Sequence, residues 1–379
     1  MKIKKIVARK ILTSTDLPTI EVVINKRYSC SSPIGATAGT YAKPMYSEQE
    51  IDHSIELINN LKQLKGTKIN DFEELQYLNN LGDEIGSNSL YALHGAILRA
   101  LADNNVWKFL NSHPERFPIP MGNAVGGGLH GKNDVDFQEF LTIPNSKDFS
   151  ENLFANDYIY NRLGNEFNIR TRNYVGAWAP DLSTTSILDI LARNIEGASN
   201  SIGFDIRLGL NINANSFFHN GKYYYKNFSS TKKEKILTRE EHIDFINSLI
   251  NDYNIRYVQD PVHEDDIQGY KMIKSKVVAG DNIICTNIDR LKELKDNINA
   301  VIIKPNQIGS LTKLKEFIDY AKSNKILTIM SQRTGETRDD LISHLAIAWE
   351  IPFVKFGTFG RERLTKINAL KEIEKEIRG

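Results

Sequence analysis

Residues 300–330 read AVIIKPNQIGSLTKLKEFIDYAKSNKILTIM. Ala300–Ile303 is a short apolar run, Leu311–Ala321 places apolar side chains at helical spacing, and Ile326–Met330 is a second apolar run. Apolar runs of this length on either side of an amphipathic segment predict two buried parallel strands joined by a crossover helix. Lys304 follows the first of these strands directly, so a charged side chain stands at the end of a buried strand.

The same strand–helix unit recurs along the chain after Pro118-Ile119-Pro120. The six predicted pairs are Ile206–Ile212 with Arg239–Asn251, Ile255–Val258 with Asp265–Ile273, Lys276–Val278 with Ile288–Leu294, Ala300–Ile303 with Leu311–Ala321, Ile326–Met330 with Asp339–Trp349, and Phe353–Phe356 with Arg361–Ile377. A strand candidate, Phe137–Ile143, and a helix candidate, Ser186–Glu196, precede them. This alternation predicts a closed parallel α/β barrel. A doubly wound open sheet is the competing fold, but the sequence has no G-x-G-x-x-G between a strand and a helix.

The first 117 residues have a different order of elements, with strands followed by helices. The predicted strands are Lys4–Leu12 and Thr19–Ile24, and the predicted helices are Glu48–Leu61, Asp71–Leu78 and Ser87–Ala102, the last of them capped by Asn88. Strands that precede helices without alternation predict a small α+β unit. We therefore expect an α+β domain of residues 1–117 and a barrel of residues 118–379.

The composition excludes several classes of function. Lys and Arg number 48 and Asp and Glu number 47, a net charge of +1, whereas binding to nucleic acid or to an anionic membrane favours a basic excess. No apolar stretch approaches the roughly 18 residues of a membrane span, and the charged start Met1–Arg9 is not typical of a signal peptide. Two cysteines, Cys30 and Cys285, form neither a disulfide framework nor a zinc motif. We expect a soluble, cytoplasmic protein. A net charge near zero does not exclude a small anionic substrate.

Polar residues follow most of the predicted barrel strands, where a barrel enzyme places its active site. They are Gln138, Glu139, Asn211, Gln259, Asp260, Asp281, Asn282, Lys304, Ser331, Gln332, Arg333 and Lys355. Lys304 and Lys355 follow strands that are apolar on both faces, so a functional role is favoured over surface lysines that reach for solvent.

Motifs along almost the whole chain resemble those of the phosphopyruvate hydratases, the enolases. In chain order they are Ala8-Arg9-Lys10-Ile11-Leu12, Gly35-Ala36-Thr37-Ala38-Gly39, Pro118-Ile119-Pro120-Met121, Gly127-Gly128 with His130, Gln138-Glu139-Phe140, Asp260-Pro261, Gly280-Asp281, Lys304, Asn306-Gln307-Ile308-Gly309, Arg333, Gly335-Glu336-Thr337 and Lys355. The resemblance implies an enolase-type barrel behind a smaller α+β domain, a homodimer or higher homo-oligomer, and a small phospho-carboxylate substrate.

The resemblance also implies roles for single residues. Lys304 matches the lysine that removes the C2 proton of 2-phosphoglycerate, and Lys355 matches the lysine that holds the substrate carboxylate. A lysine acts as a base at neutral pH only when burial or neighbouring positive charge lowers its pKa. Glu139 and His130 match residues near the leaving hydroxyl.

Other matched positions are expected to bind the phosphate end of the substrate. Arg333 and Thr334 match the phosphate-binding Arg-Ser pair of the family, and a guanidinium suits phosphate oxygens. Thr37 carries a hydroxyl in the segment that resembles the mobile loop of the family. Gln332 stands beside Arg333 where the family has a histidine.

The sequence departs from the family where metal and proton chemistry are located. The three carboxylates that bind the catalytic magnesium of the family align with Asn211, Gln259 and Asp281, so only the last keeps its charge. Amide oxygens can bind a hard cation, but a site of such low charge predicts weak or lost Mg²⁺ binding. Val175 occupies the position of the glutamate that assists departure of the hydroxide, and using the nearby Asp181 instead requires a different loop path.

Three hypotheses follow from these substitutions. The first is an enolase-family lyase-type enzyme with altered chemistry on a phosphorylated or phosphonylated carboxylic acid, with Lys304 as base or electrostatic anchor. The second is a non-catalytic relative that binds a metabolite or a protein. The third is a conventional phosphopyruvate hydratase whose substitutions are compensated.

Thr15 replaces an arginine of the opening motif, which bears on the dimer contact of the family.

Overall fold

The structure is a computed structural model that describes residues 1–36 and 39–378. Its N-terminal part has a three-stranded antiparallel sheet in the order β1-β2-β3, with helices packed against it. The elements are β1 (Ile6–Leu12), β2 (Pro18–Ile24), β3 (Tyr28–Ser31), α1 (Ile51–Asn59), α2 (Leu81–Ile85), α3 (Ser87–Leu101) and α4 (Val106–Leu110). The predicted helix Asp71–Leu78 is instead a 3₁₀ helix over Glu73–Leu78. The α+β character of this region is confirmed.

The predicted cap of α3 is wrong. The helix begins at Ser87, and its N-cap is Gly86 with a φ of 82°, a conformation that favours glycine. A side chain on Gly86 would collide with the backbone of Tyr46. Asn88 lies inside the helix, where its Nδ2 donates to the carbonyl of Pro33 at 3.3 Å and its Oδ1 accepts from Asn306 at 2.9 Å. Asn88 therefore joins the N-terminal part to the barrel instead of capping a helix.

The second part is a barrel whose strands form one sheet in the order β4-β15-β14-β13-β12-β11-β7-β6-β5. The strands are β4 (Ile119–Pro120), β5 (Gly122–Gly126), β6 (Glu139–Pro144), β7 (Ile206–Asn211), β11 (Tyr257–Gln259), β12 (Val277–Gly280), β13 (Ala300–Ile303), β14 (Leu327–Ser331) and β15 (Phe353–Lys355), with a separate small sheet of β8 (Phe218–His219), β9 (Lys222–Tyr225) and β10 (Lys235–Leu237). Only Met121 separates β4 from β5, and its amide donates to the carbonyl of Val354 at 2.8 Å. This continuous segment pairs with β15 through β4 and with β6 through β5, and so it closes the barrel.

The helices around the barrel follow the predicted alternation. They are α5 (Phe149–Phe167), α6 (Thr184–Ile202), α7 (Arg239–Asp252), α8 (Ile267–Met272), α9 (Ile288–Leu294), α10 (Pro305–Ile308), α11 (Leu311–Ser323), α12 (Leu341–Ala348) and α13 (Arg361–Arg378). The sequence analysis missed α5, although Asp148 and Glu151 mark its start: the Asp148 side chain accepts from the amide of Glu151. None of the helices in the described residues is long and apolar enough to cross a membrane.

One strand departs from the predicted parallel barrel, because β6 is antiparallel to both β5 and β7. A parallel neighbour needs one crossover helix, whereas α5 and α6 lie between β6 and β7. Two consecutive helices return the chain to the barrel end where it left, so β7 starts where β6 finishes. The reversal places Glu139, at the start of β6, level with Asn211, at the end of β7.

The N-terminal part contacts the barrel at the C-terminal ends of the parallel strands. The backbones of Ile34 and Gly335 donate to each other at 2.8 Å, and the amide of Ser14 donates to the carbonyl of Glu336 at 2.8 Å. Asn306 adds a side-chain bond of 3.1 Å to the carbonyl of Pro33. These contacts partly cover one mouth of the barrel.

A buried ion pair holds the loop after β14 against α13. Lys366 Nζ lies 2.8 Å from the Glu336 carboxylate, and both side chains are 2% exposed. The other oxygen of Glu336 accepts from the amide of Arg333 at 2.7 Å. The pair therefore positions the backbone that carries Arg333.

We expect Lys366→Met to lower the free energy of unfolding by about 3–5 kcal/mol, because Glu336 would be buried without its cation. Urea unfolding at neutral pH measures the change. Lys375→Met on the same helix is the control, since Lys375 is largely exposed and its loss should cost less than about 0.5 kcal/mol. Equal losses in the two variants would contradict the prediction.

Candidate active site

The strand-end residues predicted from the sequence converge at the covered mouth of the barrel. Asn211, Gln259 and Lys355 are the last residues of β7, β11 and β15. Asp281 and Lys304 directly follow β12 and β13. Parallel strands of a barrel bring these ends to one rim.

One half of this rim is an ion pair between Lys304 and Asp281. The Lys304 ammonium lies 2.6 Å from the Asp281 carboxylate, and the two side chains are 15% and 6% exposed. Gln259 Nε2 donates to Asp281 Oδ2 at 2.8 Å. The carboxylate is therefore engaged by one cation and one amide.

The other half is an ion pair between Lys355 and Glu139. Lys355 Nζ donates to Glu139 Oε2 and, at 2.9 Å, to Gln259 Oε1. Glu139 also accepts from Asn211 at 2.8 Å and from Asn123 at 3.0 Å. Burial by itself raises the pKa of Glu139, but the Lys355 ammonium outweighs it and the pKa falls to about 2. A continuous hydrogen-bonded chain thus runs from Lys304 to Asn211 through Gln259.

His130 borders this chain without donating to it. Its Nδ1 lies 3.8 Å from Glu139 Oε1, and this nitrogen is buried without a hydrogen-bond partner. Burial lowers the pKa of His130 to about 4, with Glu139 opposing the shift and Lys355 adding to it. The imidazole is therefore neutral at neutral pH.

The residues predicted to bind phosphate lie in the loop after β14. Arg333 is buried, and its Nη1 donates to Asn306 Oδ1 at 3.1 Å. A side chain on Gly35 would collide with the Arg333 guanidinium, so the N-terminal part reaches this group with bare backbone. Thr334 is half-buried beside it. Gln332 is 5% exposed, and neither its Nε2 nor its Oε1 has a hydrogen-bond partner.

Two predicted positions do not add to the site as described. Thr37 lies outside the described residues. Val175 is 1% exposed in the loop between α5 and α6, and Asp181 of the same loop is exposed to solvent. The structure therefore brings no carboxylate of this loop into the buried network.

The sequence analysis gave no role to Asp260, which the structure places next to the network. Its Oδ1 accepts from the amide of Asp281 at 2.9 Å and from Tyr270 at 3.1 Å, and its Oδ2 accepts from the amide of Asn282 at 3.0 Å. Burial, together with the charge of Asp281, raises the pKa of Asp260 to about 7. The Asp-Pro motif was visible in the sequence, but its backbone contacts were not.

The predicted metal ligands are engaged in hydrogen bonds or lack negative charge. Within residues 1–36 and 39–378, no group of three or more His, Cys, Asp or Glu side chains could hold a metal. Of the three predicted ligands, Asp281 accepts a hydrogen bond from the Lys304 ammonium. Gln259 Oε1 accepts from Lys355 and from the Tyr257 hydroxyl, each at 2.9 Å. Asn211 Oδ1 is buried and has no hydrogen-bond partner.

Comparisons with known proteins agree with the arrangement of the barrel. Residues 114–379 match the family model described as "Enolase, C-terminal TIM barrel domain". The enolase of Methanothermobacter thermautotrophicus is 32% identical over 99% of this chain and 97% of its own length. The chain belongs to the enolase family. Enolases of Methanocorpusculum labreanum and Ehrlichia ruminantium are 33% and 31% identical, each over 99% of this chain.

Membership confirms the predicted family and the barrel fold. Enolases in general depend on magnesium and bind a small phospho-carboxylate. At the mouth where such barrels carry their active site, one buried cluster contains Lys304, Lys355, Glu139, Asn211 and Gln259.

We expect His130 to make the protein less stable as the pH falls from 6.5 to about 4. Over this range unfolded histidine binds a proton and buried His130 does not, so the unfolded state gains about 3 kcal/mol. His130→Asn should remove this part of the pH dependence in urea unfolding curves. His113→Asn is the control, since His113 is exposed. If His130→Asn and the parent lose stability equally, the prediction is wrong.

Proposed function

We propose that this enolase-family chain is a lyase-type enzyme that acts on a small phosphorylated or phosphonylated carboxylic acid and depends little on magnesium. The observation that carries this proposal is the charge of the barrel mouth. Lys304, Lys355 and Arg333 supply three cations, whereas the buried network holds two carboxylates, Glu139 and Asp281. The neighbouring Asp260 is partly protonated at neutral pH, because its pKa is raised to about 7.

Recognition of the substrate is assigned to two ends of this mouth. Lys355 is buried and donates to Glu139 and to Gln259, which leaves the third N–H of its ammonium for a substrate carboxylate. Arg333, whose guanidinium is fixed by Asn306, suits a phosphate or phosphonate group. The Thr334 hydroxyl and, outside the described residues, Thr37 are the further predicted contacts.

Lys304 is the residue assigned to the reacting carbon, as base or anchor. A lysine accepts a proton only as the free amine, and Lys304 is held by Asp281 at 2.6 Å. If Lys304 is to act as the base, substrate binding must first separate Lys304 from Asp281. A substrate that Lys304 only anchors can bind with the pair intact.

The network does not fit a tightly bound Mg²⁺ ion. Mg²⁺ requires oxygen ligands in near-octahedral geometry and is held through carboxylates. Here two of the three ligand positions are amides, Gln259 directs its amide nitrogen at Asp281, and two lysines already neutralise the carboxylates. An incoming cation would have to displace ammonium groups from both Asp281 and Gln259.

The proton donors of the site argue against a conventional phosphopyruvate hydratase. Val175 transfers no proton, Glu139 is ionised at neutral pH because its pKa is about 2, and His130 is neutral because its pKa is about 4. Asp260 is partly protonated at neutral pH because its pKa is about 7, but both of its oxygens accept hydrogen bonds, from the amides of Asp281 and Asn282 and from Tyr270. The site therefore offers no unengaged acid to a departing hydroxide. A non-catalytic relative is the second candidate, favoured by the pairing of both lysines in the network.

The predicted boundary at residue 117, the homo-oligomer and the cytoplasmic location stay predictions.

Binding without magnesium tests the proposed ligand class. We expect phosphonoacetate to bind in EDTA by calorimetry, and Arg333→Gln to weaken it at least tenfold, because a charge-assisted bond contributes about 1.5–3 kcal/mol. Lys313→Gln, at an exposed position, should bind like the parent. Formation of phosphoenolpyruvate from 2-phosphoglycerate is expected below about 1 s⁻¹ with or without Mg²⁺. Magnesium-dependent turnover at ordinary rates would instead identify a conventional hydratase, and no turnover with any phospho- or phosphono-carboxylate would favour the non-catalytic relative.

Restoring the lost charges tests the proposed loss of metal. Asn211→Asp combined with Gln259→Glu places two further carboxylates beside Asp281, whose repulsion a divalent cation would relieve. We expect Mn²⁺ affinity, measured by electron paramagnetic resonance, to rise at least tenfold over the parent. The matched control is Asn254→Asp with Gln76→Glu, both at exposed positions. Tight Mn²⁺ binding by the parent would overturn the assignment of a weakened metal site.

A further inference from the structure

The opposite end of the barrel holds a cavity that the proposed function does not use. It has a volume of about 220 Å³ and lies at the N-terminal ends of the parallel strands. Its walls are mainly apolar, and the side chains that enclose it include Ile119, Ile143, Val277, Leu327 and Phe353. The N-terminal part of the chain covers the other mouth, whereas exposed side chains, among them Arg256, Lys276 and Leu327, border this one.

The walls of the cavity are formed by side chains near the starts of the parallel strands. Barrel interiors of this size are normally filled by layers of branched side chains. Two of the wall residues, Ile143 and Tyr257, lie directly against Gly209 on β7, where an added Cβ would come within 3.0 Å of Ile143. The ring of Tyr257 lines the cavity, while its hydroxyl donates to Gln259 Oε1 at 2.9 Å. This ring lies between the cavity and the active-site network, so the two are separate sites.

Three cations surround the opening. Arg207 precedes Gly209 by two residues on β7, and its Nε lies 2.7 Å from the Asp205 carboxylate. Arg256 and Lys276 lie just before β11 and β12, which are adjacent in the sheet. Within the part of the chain that the structure describes, neither has a carboxylate at salt-bridge distance. The rim thus carries more positive than negative charge.

We propose that this cavity binds a small amphipathic carboxylate, with its apolar part between the strands and its carboxylate at Arg256 and Lys276. The apolar walls select a hydrocarbon group, and the cations on the rim select negative over positive charge. The volume lies below the roughly 300–1,000 Å³ of pockets for drug-sized molecules, so the ligand is of the size of a medium-chain fatty acid or an arylalkanoic acid.

Octanoate is the probe for this site, with octylammonium as a ligand of similar apolar chain and opposite charge. We expect octanoate to bind the full chain by ligand-observed NMR or calorimetry, and octylammonium to bind more weakly. Arg256→Glu combined with Lys276→Glu should weaken octanoate roughly tenfold, the effect of reversing two exposed charges. Lys274→Glu is the matched control, because Lys274 is exposed on the segment before β12 and does not line the cavity.

A second variant tests the apolar part of the site without changing charge. Val277→Trp, at a position that lines the cavity, is expected to fill it and to abolish octanoate binding, with thermal unfolding recorded to show that the barrel is intact. The double charge reversal stays informative if Val277→Trp does not fold, since Arg256 and Lys276 are exposed.

Three results would overturn the proposal. They are equal binding of octanoate and octylammonium, unchanged octanoate affinity after the double charge reversal, and a change of oligomeric state in that variant, which would show that a second copy of the chain covers the mouth. None of these measurements involves the phosphonate ligand or turnover, so the result is independent of the proposed function.

Discussion

The neutralisation of buried charge at the mouth of the barrel is the constraint on which the rest of this site depends. Two ammonium groups and two carboxylates are largely removed from bulk water, and each lysine is paired with one acid, Lys304 with Asp281 and Lys355 with Glu139. Gln259 joins the pairs by donating to one carboxylate and accepting from one ammonium. A buried charge without a partner costs several kcal/mol, so no member of this set can change without consequences for the others.

The same neutralisation explains how the chain can belong to the enolase family with so few carboxylates. A site built to hold divalent cations needs excess negative charge, which destabilises the empty protein. The predicted ligand positions Asn211 and Gln259 carry neutral amides, and the acids Asp281 and Glu139 are paired with lysines. Binding of a substrate anion then requires rearrangement of ion pairs instead of recruitment of metal, and this links the proposed substrate class to the proposed metal independence.

The two ends of the barrel differ because inward positions on the same strands change character along their length. Gln259 belongs to the polar network at one mouth, and Tyr257, two residues earlier, lines the apolar cavity at the other. Alternation with a period of two keeps both side chains on the inner face. One strand thereby supplies a polar group to the active site and an apolar wall to a separate pocket.

The sequence by itself determined the barrel, the family and the strand-end residues, because periodicity and collinear motifs are local properties of the chain. The helix Ile288–Leu294 and the strand Ala300–Ile303 were predicted to the residue. Only the tertiary structure decided that β6 runs antiparallel, that Gly86 instead of Asn88 caps α3, and that the lysines pair with the acids. The Lys355–Glu139 pair joins residues 216 positions apart, and the Lys304–Asp281 pair joins the ends of two strands 23 positions apart. No local pattern specifies either pair. They arise when closure of the barrel removes these groups from water and each charge must find its partner.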